Sequence, residues 1–293
     1  MLETPLISVV MAVFNGRATL AIAIKSLQLQ TLTAWELILV DDCSTDGSGE
    51  LACEFMDPRI RVIRNEHNCG LAVSLNRGID LARAPLLVRM DSDDICFPRR
   101  LEMQYEFMCS HPEVDLVGGG ALEFYGDGQP FALATVPIDH ASIMSALAVG
   151  GTPLYHPAWC GRIEWFRRYY YDESFLKAQD CELLVRAASD SRYANLREVL
   201  IGYRREKFNL PKRLRSRWHV LRAYWKNYVR PGRYLDFTVP AMATLVRLTF
   251  DLLRAPAVKL RGSGTRRRNL GVGHKATECL AEWDQLRHNL ASL

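Results

Sequence analysis

Three aspartates fall within four positions at Asp91-Ser92-Asp93-Asp94, directly after the apolar run Leu86-Leu87-Val88-Arg89-Met90. Carboxylates this close repel one another, and two arrangements relieve them. A hard divalent cation, Mn2+ or Mg2+, takes a few carboxylates and completes its shell with substrate phosphates. Alternatively, the turn is solvated and its acids cap the next helix. A second acidic pair, Asp41-Asp42, ends the run Glu36-Leu37-Ile38-Leu39-Val40. There a carboxylate can accept a base N–H or a ribose hydroxyl, or hold an Asx turn with Ser44 and Asp46. Asp180, in Lys177-Ala178-Gln179-Asp180-Cys181-Glu182, stands at a helix start, where aspartate is commonly a cap. His156-Pro157 reads as a turn histidine rather than a ligand.

The elements around these residues decide where they can meet. Leu6 to Phe14 is an apolar run stopped by Asn15-Gly16, and the helix that follows sets Leu20, Ile24 and Leu27 on one face. Residues 36–40 form a second strand, and a short helix after Asp46 offers Leu51 and Phe55 to the core. Arg59 to Arg64 alternates like a strand with one wet face. A helix with Leu71, Leu75, Ile79 and Ala82 in one stripe leads to the fourth strand, 86–90. This alternation predicts right-handed βαβ units and a mostly parallel sheet. In such sheets ligands bind beyond the carboxyl ends of the strands, and Phe14-Asn15, Asp41-Asp42 and Asp91 to Asp94 all lie there. A helix with Leu101, Tyr105 and Met108 inward follows, then 114–124 with a Gly118-Gly119-Gly120 interruption. A further helix over about 180–190 buries Leu183, Leu184 and Ala187.

Five segments in order resemble family 2 glycosyltransferases of the GT-A fold. They are Ser8 to Asn15, Val40 to Gly47, Asn68 to Ile79, Met90 to Asp94 and Pro98-Arg99-Arg100-Leu101, and the likeness spans residues 6 to about 205. The resemblance implies an α/β, Rossmann-like GT-A sheet flanked by helices and a nucleotide-sugar donor. It makes Asp42 the nucleobase carboxylate, with Ala12, Phe14, Asn15 and Asp41 lining the same pocket. Asn76 and Ser92 join the donor site. Asp91 and Asp93 become the pair that manages ribose, diphosphate and metal, Asp93 as the direct ligand. Asp180 becomes the base of an inverting transfer, and His156, Trp159 and Gln179 fall toward the acceptor, the first two on a strand. Three positions depart from the family pattern: Ala12 and Phe14 stand where proline and tyrosine are usual, and Gln179 stands where glutamate is usual.

The chain of 293 residues, 48% hydrophobic and 24% charged, suits one or two globular domains. Its charge is divided. Residues 204–268 hold 18 Lys and Arg against three acids, a local +15, which leaves −11 for the rest of a chain whose total is +4. The division assigns residues 1–205 to a catalytic domain and 206–293 to a helical, basic extension. In that extension Arg247, Asp251 and Arg254 recur at i, i+4 and i+7 as one polar stripe on an apolar helix. Such a helix lies in a membrane interface or docks on the catalytic domain; its charges make spanning improbable. With aromatic residues interleaved, an anionic membrane surface is the expected partner, and no motif supports nucleic acid. The N-terminus shows no signal-peptide pattern, and the eight scattered cysteines form no metal spacing. A cytoplasmic location is expected, with or without peripheral attachment to the inner membrane face.

The combined expectation is a metal-dependent transferase that moves a sugar, from UDP by preference, to a glycan or lipid-linked acceptor in envelope polysaccharide synthesis. A non-catalytic sugar-nucleotide or glycan-binding relative is the alternative. A sugar nucleotidyltransferase is less well matched, because Asn15-Gly16-Arg17-Ala18 is not a glycine-rich phosphate loop.

Overall fold

A computed structural model describes residues 4–206, 209–229, 234–261 and 274–292. The chain opens on strand β1 (Ile7–Val13), helix α1 (Arg17–Gln28), β2 (Trp35–Asp41), α2 (Ser48–Cys53), β3 (Ile60–Arg64), α3 (Leu71–Leu81) and β4 (Leu86–Asp91). These strands pair in parallel in the order β3-β2-β1-β4. β1, β2 and β4 are covered on both faces and are buried almost end to end, whereas β3 at the edge is only half-buried. Leu20, Ile24 and Leu27 of α1 fill the core on one face of the sheet, and Leu75 and Ile79 of α3 fill the core on the other. Each such side chain contributes about 1.5–3 kcal/mol on burial.

After Asp91 come β5 (Ile95–Cys96), α4 (Arg100–Ser110), β6 (Leu116–Phe124), β7 (Pro130–Ala134), α5 (His140–Ala148), β8 (Cys160–Arg162), α6 (Ile163–Tyr169), α7 (Gln179–Ala187) and β9 (Tyr193–Arg204). They extend the sheet to nine strands in the order β3-β2-β1-β4-β8-β6-β9-β5, with β7 on β6. Here the sheet turns mixed. β8 runs antiparallel to both β4 and β6, and β5 antiparallel to β9, while β6 and β9 are parallel. The mostly parallel character expected of the sheet is unbroken in its first half and is interleaved with antiparallel pairs in its second. The three glycines at 118–120 do not interrupt β6. They let β9 pass close by, since a Cβ on Gly120 would come within 3.0 Å of the Glu198 carbonyl oxygen.

The basic extension is helical. It contains α8 (Leu210–Tyr224), a π-helical turn Trp225–Val229, α9 (Tyr234–Arg261) and α10 (His274–Ser292). Asn209 caps α8 by accepting from Lys212 N at 3.0 Å. α8 enters the α3-side core through Ala223 and Tyr224, whose hydroxyl donates to the Leu147 carbonyl at 2.6 Å. α10 returns to the sheet and buries Trp283, Leu286 and Leu290 against Phe97 and Phe124. Among the described residues no helix is long and apolar enough to cross a membrane. The side chain of Arg254, third in the expected polar stripe, lies outside the described residues, as do residues 207, 208, 230–233 and 262–273.

Candidate active site

Register brings the strand ends level. Ala12 of β1 lies opposite both Val40 of β2 and Asp91 of β4, and Val13 lies opposite Asp41. The chain then turns sharply through residues held at positive φ, Asn15 (52°) after β1 and Cys43 (62°) after β2. Ala178 (56°), just before α7, is held the same way. Such conformations cost on the order of 1–3 kcal/mol each and persist where surrounding contacts over-determine them. At Asn15 those contacts are visible: its N–H donates to Ser44 Oγ at 3.0 Å, and its Oδ1 accepts from Thr45 N at 2.9 Å. Phe14 is left 51% exposed at the same strand end, an aromatic face open for stacking.

The two aspartates after Val40 point apart. Asp41 faces α2, accepting from Ser44 N at 2.9 Å through Oδ1, with Arg64 Nε 3.6 Å from Oδ2. Asp42 faces α3. Its Oδ1 accepts from Asn65 Nδ2 (2.7 Å) and Cys69 N (2.8 Å), and its Oδ2 from Gly70 N (2.8 Å). The carboxylate therefore satisfies donors at the start of α3, and Oδ2 keeps one lone pair for a further donor. Asp46 serves two helix starts at once, accepting from Arg17 N at 2.9 Å and Ser48 N at 3.0 Å.

One oxygen from each of Asp91, Asp93 and Asp94 lies within 4.8 Å of the others. Asp91 Oδ1 accepts from Arg89 Nη2. Asp94 Oδ1 accepts from Arg204 N at 2.8 Å, while its buried Oδ2 has no partner. Burial, then the charge of Asp91, pushes the Asp93 carboxyl up to about 6. Burial and both neighbouring carboxylates push Asp94 well above its ordinary value. Three all-oxygen donors with a repelling charge and an orphaned buried oxygen fit a hard divalent cation. Ser92 sits against the start of α1, its Oγ 3.3 Å from where a Cβ on Gly16 would be.

Asp180 is the second residue of α7 and is half-buried. Burial raises its pKa; the charge of Arg89 lowers it and that of Asp91 raises it, so all three share one electrostatic neighbourhood. Gln179 beside it is buried. Asn76 is spent elsewhere: its amide donates to the Tyr171 carbonyl (2.9 Å) and Glu173 Oε1 (3.1 Å) and accepts from Tyr171 N (2.8 Å). It clamps the segment leading to α7. His156 and Trp159 differ from expectation. They belong to a 3-10 turn (His156–Ala158) and its following residue, not to a strand, because Pro157 fixes φ and has no N–H for a ladder. His156 Nε2 pairs with Tyr171 Oη at 2.8 Å, and burial and the charge of Arg89 hold its pKa well below the usual range. Trp159 is fully buried, so it backs the site and offers no surface to an acceptor.

Two arginines of the site escaped the sequence reading. Arg89 is fully buried beneath the acidic cluster, with its carbonyl held by Arg100 Nη2 at 2.8 Å. A lone cation inside an apolar strand was its signal. Arg204 ends β9 and donates through Nε to the Asp93 carbonyl at 2.8 Å. It arrives there because β5 pairs with β9, a contact across about a hundred residues that no local pattern announces.

Parallel strands whose ends converge on a cluster of carboxylates, continued by a mixed sheet, are the GT-A architecture of sugar-transferring enzymes. Residues 8–175 match Glycosyl transferase family 2, and the chain belongs to that family. It is similar to EpsE of Bacillus subtilis, described as a glycosyltransferase, at 34% identity over 69% of this chain and 74% of that protein. WfgD of Escherichia coli, a UDP-Glc:alpha-D-GlcNAc-diphosphoundecaprenol beta-1,3-glucosyltransferase, is 36% identical over 35% of this chain and 41% of its own length. Among solved structures, TarS of S. aureus in complex with UDP shares the fold with a TM-score of 0.61 at 18% identity, covering 96% of this chain and 80% of that one. The mannosyltransferase PcManGT of Pyrobaculum calidifontis, in complex with GDP-Man and Mn2+, gives 0.64 at 16% identity over 97% and 81%. The chain is a glycosyltransferase.

Proposed function

We propose that this enzyme transfers a sugar from a nucleotide-sugar, in the first instance a UDP-sugar, to a hydroxyl of a glycan or lipid-linked acceptor in cell-envelope polysaccharide synthesis. The observation that carries the reading is that the Asp91-Asp93-Asp94 cluster and Asp180 share one electrostatic neighbourhood, the charge of Asp91 acting on Asp180. Phe14 offers a stacking face to the base, and Asp42 Oδ2 keeps a free lone pair for a base N–H. Asp91, Asp93 and Asp94 would hold Mn2+ or Mg2+, which when bound supplies positive charge against the departing diphosphate. Arg204, anchored on the same turn, adds a cation from the protein itself.

Asp180 would take the proton from the acceptor hydroxyl as its oxygen attacks the anomeric carbon. The bond to the diphosphate breaks on the opposite face, so the anomeric configuration inverts. Holding donor and acceptor in line lowers the entropic cost of their meeting. Residues 1–205 carry these groups, and the helical 206–293 region is proposed to attach the enzyme to the inner face of an anionic membrane. A lipid-linked acceptor is favoured by WfgD, whose name specifies a diphosphoundecaprenol acceptor.

The test is release of UDP from UDP-glucose and UDP-GlcNAc in the presence of Mn2+ and a GlcNAc-diphosphate-lipid acceptor. Acceptor-dependent release abolished by EDTA is expected. A panel of UDP- and GDP-sugars giving no release with glycan or lipid acceptors would leave only a binding protein.

A further inference from the structure

Helix α9 is amphipathic in the reverse sense of a helix that closes a core. Three of its polar side chains, Thr244, Arg247 and Asp251, face the protein, while Asp236, Thr238 and Thr249 are exposed. Thr244 is buried and donates to the Pro240 carbonyl at 2.7 Å. Arg247 donates to the Gly150 carbonyl. Asp251, 6% exposed, accepts from Arg213 Nη1 and Arg217 Nε of α8, each at 3.2 Å. The polar stripe of the sequence is therefore turned inward.

A row of its apolar side chains faces out, while Phe237, Pro240 and Leu248 are turned toward the protein. Leu235, Val239, Met242, Val246, Phe250 and Leu253 recur every three or four residues and are 51–84% exposed. At 1.5 Å per residue this stripe runs about 27 Å along one side of the helix. A contiguous apolar surface of that length marks a place where something docks.

The neighbouring helix says what docks. The outward stripe of α8 alternates Arg215, Trp218, Arg222 and Trp225, all exposed. Trp218 lines a groove of about 520 Å3 together with Met242 and Leu245, and Trp225 packs edge-on against Phe237 at 5.6 Å. The tryptophans and the α9 stripe thus form one continuous face. Exposed tryptophans and arginines bordering an apolar strip are the composition of a bilayer interface. A two-fold contact with a second copy would lay this basic border against its own likeness. An anionic leaflet has no such conflict, because acyl chains receive the strip and lipid phosphates receive the arginines.

We propose that the α8–α9 hairpin is an in-plane membrane anchor, with the outer face of α9 sunk to the acyl boundary and Trp218 and Trp225 at headgroup level. This deepens the proposed membrane attachment and rests on it. The hairpin is bolted to the catalytic helix: Lys226, just after α8, pairs with Asp172 and with Glu182 of α7. Asp180, on that same helix, is held at a set height above the lipid surface.

Flotation of the full chain with phosphatidylcholine vesicles, with and without phosphatidylglycerol, tests this. Wild type should float with the anionic vesicles, and Val246→Glu/Phe250→Glu should reduce the bound fraction by about tenfold or more. Arg215→Glu should weaken binding and flatten its salt dependence. Sugar transfer to a soluble acceptor, read as UDP released, should be equal in wild type and the double variant. Three results would overturn the anchor: wild type that does not float, a double variant that floats as well as wild type, or a wild-type dimer that this variant dissociates while flotation is unchanged. Flotation without any sugar transfer would sink the enzymatic reading and leave the anchor standing.

Discussion

Replacing Asn76 by alanine separates a positioning role from a donor-binding one. The side chain is 8% exposed and satisfies both the N–H and the C=O of Tyr171, at 2.8 and 2.9 Å. Alanine leaves both main-chain groups without their partner in a buried setting. Each unsatisfied group costs about 1–3 kcal/mol, and relaxation that admits water recovers part of it, so ~3 kcal/mol is expected. For a chain of this size that lowers Tm by roughly 6–12 °C in differential scanning fluorimetry. UDP affinity with Mn2+ should stay within about twofold of wild type, since a clamp contributes nothing to the donor directly. Turnover should fall, because the freed segment leads to Asp180. An unchanged Tm together with lost UDP binding would refute the clamp and return Asn76 to the donor site.

Asp180→Asn should lower turnover by about a hundred- to ten-thousandfold while sparing UDP affinity; near-wild-type turnover would remove Asp180 from the chemistry. Burial raises the Asp180 pKa, so activity should be full above that raised value and lost as pH falls through it, with an acid limb above the ordinary aspartate range in a kcat–pH profile. The raised Asp93 and Asp94 values contribute a share of metal-free stability that is fully present in acid and lost as pH rises through about 6 for Asp93. Mn2+ should therefore raise Tm more at about pH 8 than at about pH 5, where it competes with protons; an equal or reversed gain would exclude the cluster as its site. Trp283→Ala should cost about 3–5 kcal/mol in denaturant unfolding and expose α10 to protease. A change under about 1 kcal/mol would mean that the docked C-terminal helix is ornamental to the fold.

The first four strands and their helices were legible because local periodicity reports burial when both sheet faces are covered. Leu20, Ile24, Leu27, Leu75 and Ile79 each sit where their spacing placed them. The second half was harder to read. β5 and β8 have two and three residues, too few for a period, and their partners are distant in sequence. Asp41, Asp42 and the acidic cluster stand at the strand ends where the apolar runs placed them, yet the division of Asp41 toward α2 and Asp42 toward α3 needed the pleat. The hydrogen bonds of Asn76 were not legible because its partners, Tyr171 and Glu173, lie ninety-odd positions away. α9 shows a different limit. Its polar stripe was visible at once, but periodicity does not say which side of a helix meets the protein, and here the polar side does.

Calorimetric titration of UDP into the full chain, with Mn2+ and again with EDTA, tests the central claim most directly. The account predicts that Mn2+ tightens UDP binding by about tenfold or more in wild type and has no such effect in Asp93→Ala. Equal affinity in Mn2+ and EDTA for the wild-type chain would contradict it, leaving the acidic turn without a cation and the diphosphate without its proposed holder.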